Sequence, residues 1–216
     1  MNNWEVLSRL ATTPRATILY VGANVGQHIP ALRGISRGGH IYAFEPDRRA
    51  YATLAEKFGQ DNDVTLIPLA VADRAEPRQF YVNESSVTSS LLPWNPGSLY
   101  RAAHYRTAQI ATVPTTTLDQ FCLGMNTFEI ELLFMDVQGG ELLALHGAAG
   151  LLRCPAIKLI YGEVLFCDIY EGAPSFCDIY SYVTRYGYEF YGFFNCKLRD
   201  DGRWKWADFL FTRRGG

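Results

Sequence analysis

The chain has 216 residues, 48% hydrophobic and 19% charged, a balance that fits one globular domain and excludes a disordered segment. Its formal net charge of −2 offers no field for nucleic acid or an anionic membrane surface, so neither is expected as a partner. Five cysteines without a CxxC pair exclude a zinc ribbon or a disulfide framework, and residues 1–16 hold no signal-length apolar block; a soluble, cytoplasmic chain is the expectation.

Residues 17–21 (Thr-Ile-Leu-Tyr-Val) form an unbroken apolar run ending at Gly22, the pattern of a strand buried on both faces of a parallel sheet. A helix is expected over about 26–36, with Pro30 in its first turn and Gly38-Gly39 breaking the chain behind it. A second apolar run, Ile41 to Phe44, ends in Glu45. Asp47 is placed to cap a helix whose Tyr51, Leu54, Ala55 and Phe58 share one face, and Gly59 closes it. Residues 64–69 read as a third strand. This alternation opens a doubly wound α/β sheet.

Phe80 to Val82 suggest a short extra strand. Residues 85–115, rich in Ser, Thr, Pro and Gly, read as loops, and a loop region of that length points to a lid or an acceptor-selecting segment. A short helix is expected over 118–123, a strand over 130–135 ending at Asp136, and a helix over 141–146. A strand over 157–161 closes at Gly162-Glu163. Pro174 opens a helix that buries Phe176, Ile179, Tyr180 and Val183, with Gly187 at its end. Two final strand-like runs, 188–194 and 204–212, flank the turn signal Arg199-Asp200-Asp201-Gly202. A sheet of βαβ units alone ends in parallel strands. A terminal antiparallel hairpin is instead the mark of Rossmann-like methyltransferases. The expected organisation is an N-terminal segment over 1–16 and a single domain over 17–216.

The loop after the first strand, Tyr20 to Gln27, carries Gly22-x-x-x-Gly26 and lacks the middle glycine that a dinucleotide pyrophosphate favours. Small residues (Gly22, Ala23, Asn24, Gly26) let a ligand approach the backbone, and the following helix N-terminus suits a carboxylate such as that of S-adenosylmethionine. Glu45, with Pro46 behind it, ends the second strand, where an acid accepts hydrogen bonds from both ribose hydroxyls. Ala70 or Asp73, past the third strand, is expected to meet the adenine edge, with an ordinary turn as the alternative.

Tyr20 to Gln27, Phe44-Glu45-Pro46, Thr117-Leu118-Asp119, Phe134 to Leu142, and Gly162-Glu163 followed by Tyr170-Glu171-Gly172 resemble the FkbM family of S-adenosylmethionine-dependent methyltransferases, over about residues 17–212. The resemblance implies a seven-stranded methyltransferase sheet with helices on both faces, S-adenosylmethionine as cofactor, and O-methylation of a saccharide or natural-product hydroxyl. It departs from the family at four positions. Tyr20 and Gln138 stand where acids are usual, Phe134 where Lys is common, and Gly140 where Ala is frequent.

An alcohol is a poor acid, so methyl transfer to it needs a base or a metal beside the aligned reactants. Asp136 is the first candidate, facing the sulfonium region or taking the proton, and Glu163 the second. His28, in a helix first turn that keeps imidazole neutral, is a third route, weighed against a solvent-facing residue. Asp136 and Glu163 holding Mg²⁺ is a less favoured alternative. Ser89, Ser90, Trp94 and His104, the last beside Arg101 and Arg106, are candidate acceptor contacts, against ordinary loop residues. The expected partner is a small-molecule acceptor, and composition does not bear on oligomeric state. A nicotinamide-dependent reductase and a non-catalytic S-adenosylmethionine-binding protein are the competing readings.

Overall fold

The computed structural model describes residues 2–98 and 103–214. A helix, α1 (Asn3–Leu10), precedes β1 (Thr17–Val21), α2 (Ile29–Ser36), β2 (Ile41–Phe44), α3 (Arg48–Phe58) and β3 (Val64–Ile67). Pro68, which cannot donate to a ladder, ends β3 two residues before the expected boundary. The chain then leaves the main sheet through β4 (Ala70–Val71), β5 (Arg78–Asn83), β6 (Thr107–Val113) and β7 (Thr115–Thr116), which pair as two ribbons, β4 with β7 and β5 with β6. It returns through α4 (Leu118–Met125), β8 (Ile130–Met135), α5 (Glu141–His146), α6 (Ala149–Arg153), β9 (Ile157–Leu165), α7 (Phe176–Thr184), β10 (Tyr188–Leu198) and β11 (Trp204–Arg213).

The main sheet has seven strands in the order β10-β11-β9-β8-β1-β2-β3. Pairing is parallel from β9 to β3, and β11 runs antiparallel to both its neighbours. The fold is therefore the expected one: a mostly parallel sheet closed by an antiparallel C-terminal hairpin. Two apolar layers sandwich it. On one face Leu7 of α1, Ile29, Leu32 and Ile35 of α2, and Leu54 of α3 pack on Ile18, Tyr20 and Leu132. On the other, helices α4 to α7 pack on Leu19, Val21, Leu133 and Ile160. Strand order reverses beside β1, which opens a crevice at the carboxyl ends of β1, β2 and β8, the usual ligand position in such sheets.

Several elements differ from the sequence expectation. Residues 3–10, given no element, form a helix started by a capping box in which Asn2 and Glu5 exchange backbone hydrogen bonds. The presumed loop over 85–115 contains the seven-residue strand β6 and two 3₁₀ turns, Ser86–Thr88 and Ala103–Tyr105. β6 escapes notice because it lies in a two-stranded ribbon and buries only Val113. Helix α2 starts at Ile29 rather than near 26, because Gly26 at φ +79° still belongs to the preceding turn. Helix α7 starts after Ser175, whose side chain caps it, so Pro174 lies outside, and Tyr180 is exposed. Strand β9 runs on to Leu165 because β11 pairs along it, which places Glu163 within a strand. Among the described residues no helix is long and apolar enough to cross a membrane.

Candidate active site

The glycine loop and Glu45 meet. Within five residues the backbone takes left-handed φ at Gly22 (+81°), Asn24 (+47°) and Gly26 (+79°). The N–H groups of Gly22 and Ala23 donate to Phe44 O, that of Val25 to Asn24 Oδ1 and that of Gly26 to Ala23 O. The Asn24 N–H donates to Glu45 Oε2 at 2.7 Å, and the Asp47 N–H to Glu45 Oε1 at 2.7 Å. Glu45, 5% exposed, is thus held rigidly by two backbone donors. Burial, partly offset by those bonds, pushes its carboxyl up to about 7. Each oxygen keeps a lone pair for a ligand hydroxyl. The N–H groups of residues 22–26 are thus used by the loop and its neighbours, and Gln27, next in the chain, also lines the cleft described below.

Loop and acid line one cleft of about 610 Å³. Pro46, Leu69, Ala70, Phe80 and Leu91 give it an apolar side, and Asp136 lines it beside the glycine loop, its N–H donating to Val21 O. Gly22 is required there: a Cβ on it would stand 2.0 Å from the Asp136 carbonyl oxygen. Asp73, expected at the adenine edge, does not line the cleft; Arg78 holds its carboxylate at 2.7 Å. Ala23 and Gly26 shape the loop from behind.

Asp136 and Glu163 come together because Met135 pairs with Gly162, making them the next residues on adjacent strands. Gln138 bridges them, its Nε2 donating to Asp136 Oδ1 at 2.9 Å and to Glu163 Oε2 at 3.2 Å. Its backbone is left-handed (φ +54°), and its carbonyl accepts from Ser90 Oγ at 2.9 Å. Burial raises the Asp136 carboxyl, and burial followed by the Asp136 charge raises that of Glu163. Among the described residues no group of three or more His, Cys, Asp or Glu is arranged to hold a metal ion. The donor N–H groups of Gln138 occupy the approach between the two carboxylates.

His28 does not line this cleft. It lines a second cavity, of about 340 Å³, which also has Asp136 and Glu163 in its wall. Burial lowers its basicity, partly offset by Asp208. Of the four candidate acceptor residues, only Ser89 lines the first cleft, and its hydroxyl is engaged with Asp47 Oδ2 and the Asn83 N–H. Trp94 pairs in a β-bridge with Tyr170 and packs beside it, away from the cleft. His104 is exposed, its ring tilted against that of Tyr105; Arg101 lies outside the described residues.

Three residues of this region were missed. Glu141, at the start of α5, is buried with its carboxylate on the Val137 N–H, and burial pushes it up to about 8. Asp208 sits opposite Glu163 across the β9–β11 pair. Trp4 reaches the second cavity from α1. The Asn2-x-x-Glu5 capping signal could have revealed α1; nothing local marks Asp208.

A ligand crevice at the switch point, an acid ending β2 and an antiparallel C-terminal hairpin define a methyltransferase of the Rossmann-like class. The Methyltransferase FkbM domain matches residues 21–190, and the chain belongs to the FkbM methyltransferase family. It is 28% identical over 171 residues to the 2-O-methyltransferase NoeI of Sinorhizobium fredii, covering 76% of this chain and 69% of that protein. Its fold is similar to an FkbM methyltransferase from Methylobacillus flagellatus (TM-score 0.59, 15% identity); the match takes in 94% of this chain and 45% of that one, so this chain spans under half of that protein. It is also similar to Aeropyrum pernix fibrillarin in complex with S-adenosyl-L-methionine (TM-score 0.52, 12% identity, 97% of this chain and 73% of that one).

Proposed function

We propose that the chain is an S-adenosylmethionine-dependent O-methyltransferase acting on a hydroxyl of a small molecule, a saccharide or natural product. The observation that carries this is the single cleft joining the glycine loop, the two open lone pairs of Glu45, an apolar side and the Asp136 carboxylate. That donor set fits an adenosyl–amino-acid ligand. Glu45 would accept from the ribose hydroxyls, Leu69 and Ala70 would flank the base, and the start of α2 would meet the carboxylate. Family membership and the O-methyltransferase name of the Sinorhizobium relative support the same reading.

When bound, S-adenosylmethionine supplies a methyl group on a sulfonium, ready to leave. The chain's own task is to orient the acceptor and take its proton. Asp136 takes it: the side chain lies where the cleft and the second cavity meet, and burial makes it a stronger base than an exposed carboxylate. Burial, then the Asp136 charge, raises the Glu163 carboxyl, and Gln138 bridges the two acids through one amide nitrogen.

Asp136→Asn should lower kcat by about 10²–10⁴-fold. S-adenosylhomocysteine should still raise its melting temperature, and wild-type activity should survive a chelator. Full activity of Asp136→Asn removes the base assignment. Stabilisation by NAD instead of S-adenosylhomocysteine removes the methyl-donor reading.

A further inference from the structure

The 340 Å³ cavity belongs to the face of the sheet covered by α1 and α2. It shares Asp136 with the 610 Å³ cleft, so the two meet at one residue. Trp4, half-buried, stacks 5.7 Å from the buried Phe134 in its wall, and Tyr161 stacks 5.0 Å from the same Phe134. Beside these rings runs a polar network assembled from four elements. Asn3 of α1 donates to the Tyr161 hydroxyl (2.9 Å), and Tyr161 of β9 donates to Asp208 Oδ2 of β11 (2.6 Å). Asn195 of β10 donates to the same oxygen (2.7 Å).

Asn195 reaches the cavity through a β-bulge. Between the pairs Phe194–Asp208 and Lys197–Trp206, β10 has one residue more than β11, and Asn195 takes φ +48°. Bulges of this kind re-aim side chains beside active sites. The cavity wall holds three carboxylates (Asp136, Glu163 and Asp208) and, among the described residues, no Lys or Arg.

The geometry points to this cavity as the acceptor site, shaped for an uncharged polyhydroxylated ring such as a neutral sugar. This rests on the methyl-transfer reading above and adds the acceptor's location and charge class. Carboxyl oxygens accept hydrogen bonds, so three such groups in one wall favour a ligand rich in O–H donors. Trp4, the half-buried aromatic of the wall, is the apolar surface available to the C–H groups of such a ring. An acceptor bearing its own carboxylate meets this acid cluster with no Lys or Arg in the wall and with only His28, whose basicity burial lowers, as a titratable base. One hydroxyl of the bound ring then lies beside Asp136, at the mouth of the donor cleft.

The test is saturation-transfer NMR on the full chain, with and without S-adenosylhomocysteine, using methyl α-D-glucopyranoside, methyl α-D-galactopyranoside and methyl α-D-glucuronide as probes. A neutral glycoside should receive saturation, and the glucuronide should bind at least about tenfold more weakly. Trp4→Ala should weaken neutral glycoside binding about tenfold. Asp208→Asn, which keeps the side chain's size and serves if Trp4→Ala loosens α1, should narrow the gap between glucuronide and neutral glycoside. S-adenosylhomocysteine affinity, measured by calorimetry, should stay within about twofold in both variants. No saturation of either neutral glycoside, a glucuronide that binds as well as they do, or glycoside binding indifferent to both substitutions overturns the assignment. Failure of S-adenosylhomocysteine to bind the wild type strikes the methyl-donor reading separately.

Discussion

Glu45 shows how one side chain is prepared before any ligand arrives. Its two oxygens are each anchored by a backbone N–H, so the carboxylate cannot rotate and presents its remaining lone pairs to the cleft. Glu45→Gln replaces one acceptor by an NH₂ that opposes either the Asn24 or the Asp47 N–H. The expected result is a loss of S-adenosylhomocysteine affinity of at least about tenfold, read by calorimetry. The two glycines of the site respond oppositely to a methyl group. Gly22→Ala drives Cβ into the Asp136 carbonyl at a left-handed φ and should cost about 3 kcal/mol or more. Gly140→Ala, at φ −86° with its nearest Cβ contact at 3.3 Å, should stay within about 1 kcal/mol by denaturant unfolding.

Helix ends decide how the elements meet. The Thr117-Leu118-Asp119 run that contributes to the family resemblance carries no chemistry in the cleft. Thr117 caps α4 through the Gln120 N–H, and Asp119 accepts from the Gly150 and Leu151 N–H groups at 2.7 and 2.9 Å, capping α6 from a neighbouring helix. Asp119→Ala leaves those part-buried donors unsatisfied, at a cost of about 2 kcal/mol. The melting temperature should fall by several degrees while S-adenosylhomocysteine affinity is unchanged; a large affinity loss would give the motif a role in the site. The β10 bulge works in the other direction, spending ladder regularity to turn Asn195 toward Asp208.

Across the whole molecule, buried carboxylates should shape the pH dependence of stability. Glu45 and Glu141 titrate near 7 and 8 in the folded chain, both because of burial, against an unfolded value near 4.3. Between those limits the folded chain binds more protons than the unfolded one, so stability falls as pH rises from about 5 to 8. Asp47 and Glu131 have lowered values, held by hydrogen bonds from Arg49 and Thr13 that outweigh burial, and their stabilisation is lost only in more acid solution. Melting temperature should therefore decline from pH 5 to pH 8, and Glu141→Gln should flatten the decline. An unchanged slope in that variant would contradict the assignment.

The chain order of strands and helices, the glycine loop and the acid ending β2 were legible in the sequence because each is a local pattern: an apolar run, a 3.6-residue stripe, a small-residue turn. Asp136 was legible as a strand-end acid for the same reason, whereas Glu163, expected at a strand end, lies within β9 because β11 pairs along it. Only the folded chain decided that Gln138 bridges those acids, that Asp208 faces Glu163, and that Trp4 and Asn195 reach one cavity. These depend on strand register and on which helix covers which face, relations between distant segments that no window of sequence contains. Strand β6 belongs with them, since a mostly exposed ribbon strand is defined by its partner β5 and leaves little hydrophobic trace of its own.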